Sequence, residues 1–339
     1  MSKHKNDRPV PPGNPEPDNF QRIFENDEGP AEILSRLLLN KPIWQGEIDA
    51  DFRQAAAYYV HLRTFGFVTE KDRAESMEFL EDEIRQIESE EDYTDGPQGI
   101  YRCFGEPFER TVYRFRVARR GKIIDIEPRV PYMYAMHGVL LMKRNRPLEA
   151  RAAFEKALSF NPVCAHRILY LIDTFRAVGD LENFYRLTID AFKTAFTSFQ
   201  IAMLYRNLAY YFTEKKLFTE AHVLYNFSLS YDRHEILNDM LRENPLERIA
   251  EKSGRKVKKP TKNQFYICVG KHSFPLGSDD KVFSLAGRYA DAAQRKRKWE
   301  DARYYYKILY DISPGSPFYA SKLDELDSRL GFSPSFFGE

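Results

Sequence analysis

Cysteine is scarce in this chain of 339 residues: three, at positions 103, 164 and 268. Three widely separated cysteines build no disulfide framework and suit a reducing compartment. No Cys-x2-Cys occurs and no two histidines lie four apart, so no metal site is expected. Long apolar runs are missing as well. Nothing approaches the roughly 18 apolar residues of a membrane span, and residues 1–30 hold no apolar core of a signal peptide. The expectation is a soluble, cytoplasmic protein without a membrane partner.

What the chain has in quantity is aromatic residues (21 Tyr, 26 Phe) and charge of both signs. The net charge of +1 hides an asymmetry. Residues 1–95 carry 11 Lys+Arg against 22 Asp+Glu, a net of −11, and the rest carries +12. Solvated helix faces account for such a pattern more simply than mutual attraction does.

Six prolines and almost no apolar residues before Phe20 mark 1–30 as a disordered leader. Residues 31–94 read as an acidic helical segment. Ile33, Leu34, Leu37 and Leu38 recur at helical spacing, a second helix follows from about Asp49 to Phe65, and Thr69 caps a third. The stripe of that third helix is Met77, Leu80, Ile84 and Ile87. In 95–130, Thr111–Val117 alternates with period two, Ala118–Gly121 suits a turn, and Lys122–Ile126 suits a returning strand. This predicts a small β-hairpin linker with Arg114 and Arg116 on one face.

From Val130 a longer period sets in. Tyr134, Gly138 and Leu141 are followed by Ala150, Phe154, Ala157 and Pro162. Related sets occur at Ile168–Ala191, Tyr205–Tyr225 and Tyr289–Pro314. With Ala150, Phe184, Ala221 and Ala302 as equivalents the spacings are 34, 37 and 81. Small residues at Gly138 and Ala150 suit a close helix crossing, and Phe154 and Tyr134 fill the gap to a neighbour. Three repeats would occupy 131–232 and an insertion 233–282. A fourth repeat with a capping helix (Tyr319, Leu323, Leu326, Leu330) would occupy 283–330, before a tail at 331–339.

These residues resemble the tetratricopeptide-repeat superfamily, over about 131–232 and 283–314. The first unit departs from the family pattern at His137. The resemblance implies a mostly α fold, an α-α superhelix of TPR-like helical hairpins whose first helices line a concave groove. It implies a scaffold binding a protein or peptide segment, and as no catalytic constellation stands out in the sequence, no enzymatic activity or cofactor is expected. Carried over, the groove positions are Tyr132, Ala135, Val139 and Met142, then His166, Leu169, Asp173 and Arg176, then Met203, Arg206, Tyr210 and Thr213. Tyr132, Val139, Met142, His166, Asp173, Arg176, Arg206 and Tyr210 are the partner-binding candidates, and their mixture suits an acidic segment. The groove is also open to filling by the chain's own N-terminal helices or by 233–282. The subfamily clamp for chaperone carboxylates is missing, since Ala135, Val139 and Tyr170 stand at its positions.

Other motifs carry less. Gly270-Lys271-His272 lacks the hydroxyl residue and the earlier glycine of a phosphate loop. Asp92, Asp95 and Gly96 lack the later carboxylate of a calcium loop, where Arg102 stands. Cys164 and His166 read as a structural thiol and a groove histidine. Three basic clusters, Arg114–Lys122, Arg255–Lys262 and Arg295–Lys298, would bind RNA or DNA if they converged, with Tyr101, Phe115 and Trp299 as stacking faces. Nucleic acid is therefore the alternative partner.

Overall fold

A computed structural model describes residues 70–90, 92–117, 121–232, 237–238, 243–254 and 258–332. The expected leader, the helices before position 66, the Thr69 cap, the turn at Ala118–Arg120 and the tail after Phe332 lie outside these residues. The described chain is mostly helical. Helix α1 spans Glu70–Glu90, α2 Pro107–Arg116, α3 Arg129–Lys143, α4 Pro147–Ser159, α5 Ala165–Ala177 and α6 Leu181–Ala191. Then come α7 Ser198–Glu214, α8 Phe218–Tyr231, α9 Pro245–Ser253, α10 Lys262–His272, α11 Asp280–Arg295, α12 Trp299–Ile312 and α13 Pro317–Leu330. Two short strands, β1 (Ile100–Arg102) and β2 (Ile123–Asp125), pair in parallel with Ile100 opposite Ile123.

Four helical hairpins, α3–α4, α5–α6, α7–α8 and α11–α12, share one turn. In each, the residue two before the second helix is left-handed: Asn145 (φ 56°), Gly179 (75°), Lys216 (60°) and Arg297 (55°). The following amide donates to the carbonyl five residues back, Arg146 to Leu141, Asp180 to Phe175, Leu217 to Phe212 and Lys298 to Ala293. That bond satisfies a carbonyl the helix end would leave open. Five residues past each left-handed position sit Ala150, Phe184, Ala221 and Ala302, all fully buried. The spacings read from the sequence therefore coincide with the turns.

The first three hairpins pack in chain order, α4 on α5 and α6 on α7, and the acidic helix α1 lies on α3. Its Met77, Leu80 and Ile87 are buried, and Glu88 accepts a hydrogen bond from the Tyr134 hydroxyl at 2.8 Å. The fourth hairpin takes a different seat. Helix α11 packs on α2, and α12 carries α13 and touches α7. Phe108 of α2 meets Phe196 and Tyr305 edge-on at 5.3 and 6.0 Å, and Arg116 pairs with Asp279 at 2.7 Å.

The expected β-hairpin is corrected. Thr111–Val117 is no strand: 107–116 is helix α2, and the two strands among the described residues are parallel. Pro107 at the first helical position and the reciprocal Glu106–Glu109 cap start the helix. Its buried residues, Phe108, Glu109, Val112 and Tyr113, recur at helical spacing, which the alternation at 111–117 masks. Arg114 and Arg116 consequently leave the helix on different sides. The segment 233–282 carries α9 and α10, which pack on the third hairpin.

Candidate partner-binding groove

Helices α3, α5 and α7 are the first helices of three consecutive hairpins, and each turns one stripe toward the same concavity. A cavity of about 250 Å³ opens there. Its apolar floor is Val139 and Met142 from α3, Phe154 from α4, Tyr170 from α5, and Met203 and Ala209 from α7. Polar groups ring it: Lys143, Asp173, Arg176, Arg206, Asn207, Tyr210 and Thr213, with Glu243 and Arg248 from outside the hairpins.

Six of the eight candidate residues converge: Val139, Met142, Asp173, Arg176, Arg206 and Tyr210 all line this cavity. Two do not. Tyr132 lies under the Arg167 guanidinium, 5.3 Å from its ring centre. His166 packs edge-on against Tyr170 at 5.0 Å and tilted against Phe199 at 6.2 Å. His166 lies one helical turn before Tyr170 and Tyr132 two turns before Val139, which carries both past the end of the groove.

Arg206 corrects a further expectation. It is 5% exposed and donates to Asp232 at 2.8 Å and to the Asn238 side-chain oxygen. Its charge is thus spent inside the fold, tying α7 to the chain that leaves α8. The groove cations that reach solvent are Lys143, which is exposed, and Arg176 and Arg248, each about one third exposed. Arg176 pairs with Asp173 at 3.2 Å, and both guanidiniums lie over the Tyr210 ring, at 5.5 and 4.3 Å from its centre. Burial pushes the Asp173 carboxyl above the usual range, and Arg176 works against that shift. Glu214 takes Arg248 at 2.7 Å and Lys252 at 3.3 Å. Burial works to raise the Glu214 carboxyl, but these donors outweigh it and hold it below its ordinary value.

Glu243, Pro245 and Arg248 lie outside the repeats, in 233–282, and repeat-based reading misses them along with Lys143, Phe154, Tyr170, Asn207 and Ala209. The chain's own segment thus covers part of the groove. One signal was legible: Asn244-Pro245 is a cap followed by proline at the first helical position. The Asn244 side chain does accept from the Leu246 amide, and Gly254 ends α9 in the left-handed conformation.

Among the described residues, the first and third basic clusters stand apart. Arg116 is tied to Asp279 at the start of α11, while Arg295–Lys298 lies at its far end, roughly 22 Å along the axis. Lys258, Lys259 and Lys262 stand exposed beside α10, which packs on α8. Tyr101 packs on Tyr93 and Arg329 covers Trp299, whereas Phe115 is exposed. All three cysteines are buried free thiols, and burial pushes Cys164 up to about 12 and Cys268 up to about 11. No helix among the described residues is long and apolar enough to cross a membrane.

No protein-family model and no curated protein sequence matches this chain.

Proposed function

We propose that this chain is a TPR-like interaction scaffold that receives a segment of a partner protein in the groove between α3, α5 and α7. The observation that carries the reading is the convergence of residues from three successive first helices on one cavity. Its floor is apolar, with Met142 and Met203 able to adapt to a side chain. Its rim is charged and its aromatic Tyr210 is half-buried. An apolar pocket with a few convergent polar groups is the default form of a binding site. The separation of the first and third basic clusters favours a protein partner over nucleic acid.

The test is capture of partners on tagged full-length protein, with and without nuclease, beside Met142→Glu. Met142 is half-buried on the floor, so the variant places a charge in the groove without opening the core. A protein retained after nuclease and lost with Met142→Glu supports the groove. Capture that nuclease removes and Met142→Glu leaves intact overturns it.

A further inference from the structure

Glu243 stands just before α9, with its carboxylate 3.6 Å from Arg176 Nη1 and 3.6 Å from Arg248 Nη1. Both separations exceed a hydrogen bond. The two guanidiniums come from different parts of the chain and converge on one acid that sits at ion-pair distance from both. Arg248 gives Nη2 to Glu214, but its buried Nε has no acceptor among the described residues. A carboxylate placed closer than Glu243 could take donors in the fork geometry that arginine offers.

The segment that carries Glu243 is weakly anchored. Helix α9 is nine residues long and buries one side chain, Ile249. Helices this short are marginal alone. Among the described contacts, Arg248 lies over the Tyr210 ring, and Arg248 and Lys252 make partly exposed ion pairs with Glu214, which contribute little. Short, lightly packed elements open at the low end of a fold's stability range.

We propose that Glu243 is an internal stand-in for a ligand carboxylate. The groove takes an extended segment with an Asp or Glu side chain, which replaces Glu243 between Arg176 and Arg248 while its apolar neighbours settle on Met142 and Met203. The segment Glu243–Ser253 is then a built-in competitor that sets the affinity. This rests on the groove being a partner site, and adds the ligand's charge and its regulation.

The probe is a fluorescein-labelled pentapeptide in which Glu alternates with Leu and Phe, beside its Gln counterpart. Binding is read by anisotropy on the full chain. The Glu probe is expected to bind about tenfold tighter than the Gln probe, as charge-assisted hydrogen bonds imply. Glu243→Gln tightens the Glu probe several-fold and leaves the Gln probe unchanged. Arg248→Gln removes the preference, and circular dichroism confirms that each variant is folded. Equal binding of both probes, unaffected by Glu243→Gln but lost with Met142→Glu, overturns the stand-in and leaves the groove reading intact. Failure of both probes on wild type and on Glu243→Gln overturns the two together.

Discussion

A β-carbon on Gly138 would stand 2.6 Å from Phe154 Cε1. The crossing of α3 and α4 is so close that only a hydrogen fits there. Alanine at 138 would gain about 0.5–1 kcal/mol of helix preference and lose about 1–3 kcal/mol to overpacking. The expected outcome of Gly138→Ala is a lower midpoint in urea. Adding Phe154→Leu should recover part of the loss. An unchanged midpoint for the single variant would mean that the ring moves aside at no cost.

The shared turn gives a second prediction, of opposite sign. Lys216 and Arg297 hold left-handed backbone that a non-glycine L-residue adopts at a cost of about 1–2 kcal/mol, and both are exposed. Gly179 occupies the equivalent place in the second hairpin with no steric neighbour. Lys216→Gly is expected to stabilise by up to about 1 kcal/mol, after the entropy glycine returns to the unfolded chain. Gly179→Ala is expected to destabilise by a similar amount. Thermal melts of the two variants check this, and parallel shifts would sink it.

The repeat was legible because its constraints are local. A left-handed turn and a small or aromatic residue five places on recur wherever two helices reverse, so Ala150, Phe184, Ala221 and Ala302 could be aligned from sequence. The strand reading of Thr111–Val117 failed because a short alternating run fits either period, and the deciding information lay upstream in Glu106, Pro107 and Glu109. The α7 positions and the later ones on α3 and α5 line the cavity while Tyr132, Ala135, His166 and Leu169 do not, and what Arg206 does depends on Asp232, 26 residues later. Glu243 and Arg248 follow no repeat, so nothing local announces that α9 returns to the groove.

His222 supplies a pH prediction. It is 5% exposed on α8. Burial lowers its pKa, the Lys258 backbone works against this, and Lys259 adds to it. A base whose folded pKa lies below its unfolded value near 6.5 takes its proton first in the unfolded chain. Its stability contribution is whole above that value and is lost as pH falls from it toward the folded pKa. The loss is about 1.4 kcal/mol for each pH unit between the two titration points. Melting temperature should therefore fall from pH 7.5 to pH 5.5, and fall less in His222→Leu. The same drop in both proteins would place the sensitivity elsewhere.

The Arg206–Asp232 pair makes the last prediction. Both side chains are under 10% exposed and lie 2.8 Å apart. Arg206→Met strands a buried carboxylate, which typically costs about 3–5 kcal/mol. Asp232 keeps the Leu237 amide at 3.1 Å, so the lower end is expected. Arg206→Met/Asp232→Asn should be more stable than Arg206→Met alone, because it removes the stranded charge, and the two changes should be strongly non-additive. Urea denaturation of wild type, both single variants and the double variant gives the coupling energy. Additive losses below about 1 kcal/mol each, the scale of an exposed pair, would show that Arg206 is spared by the fold and available to a ligand after all.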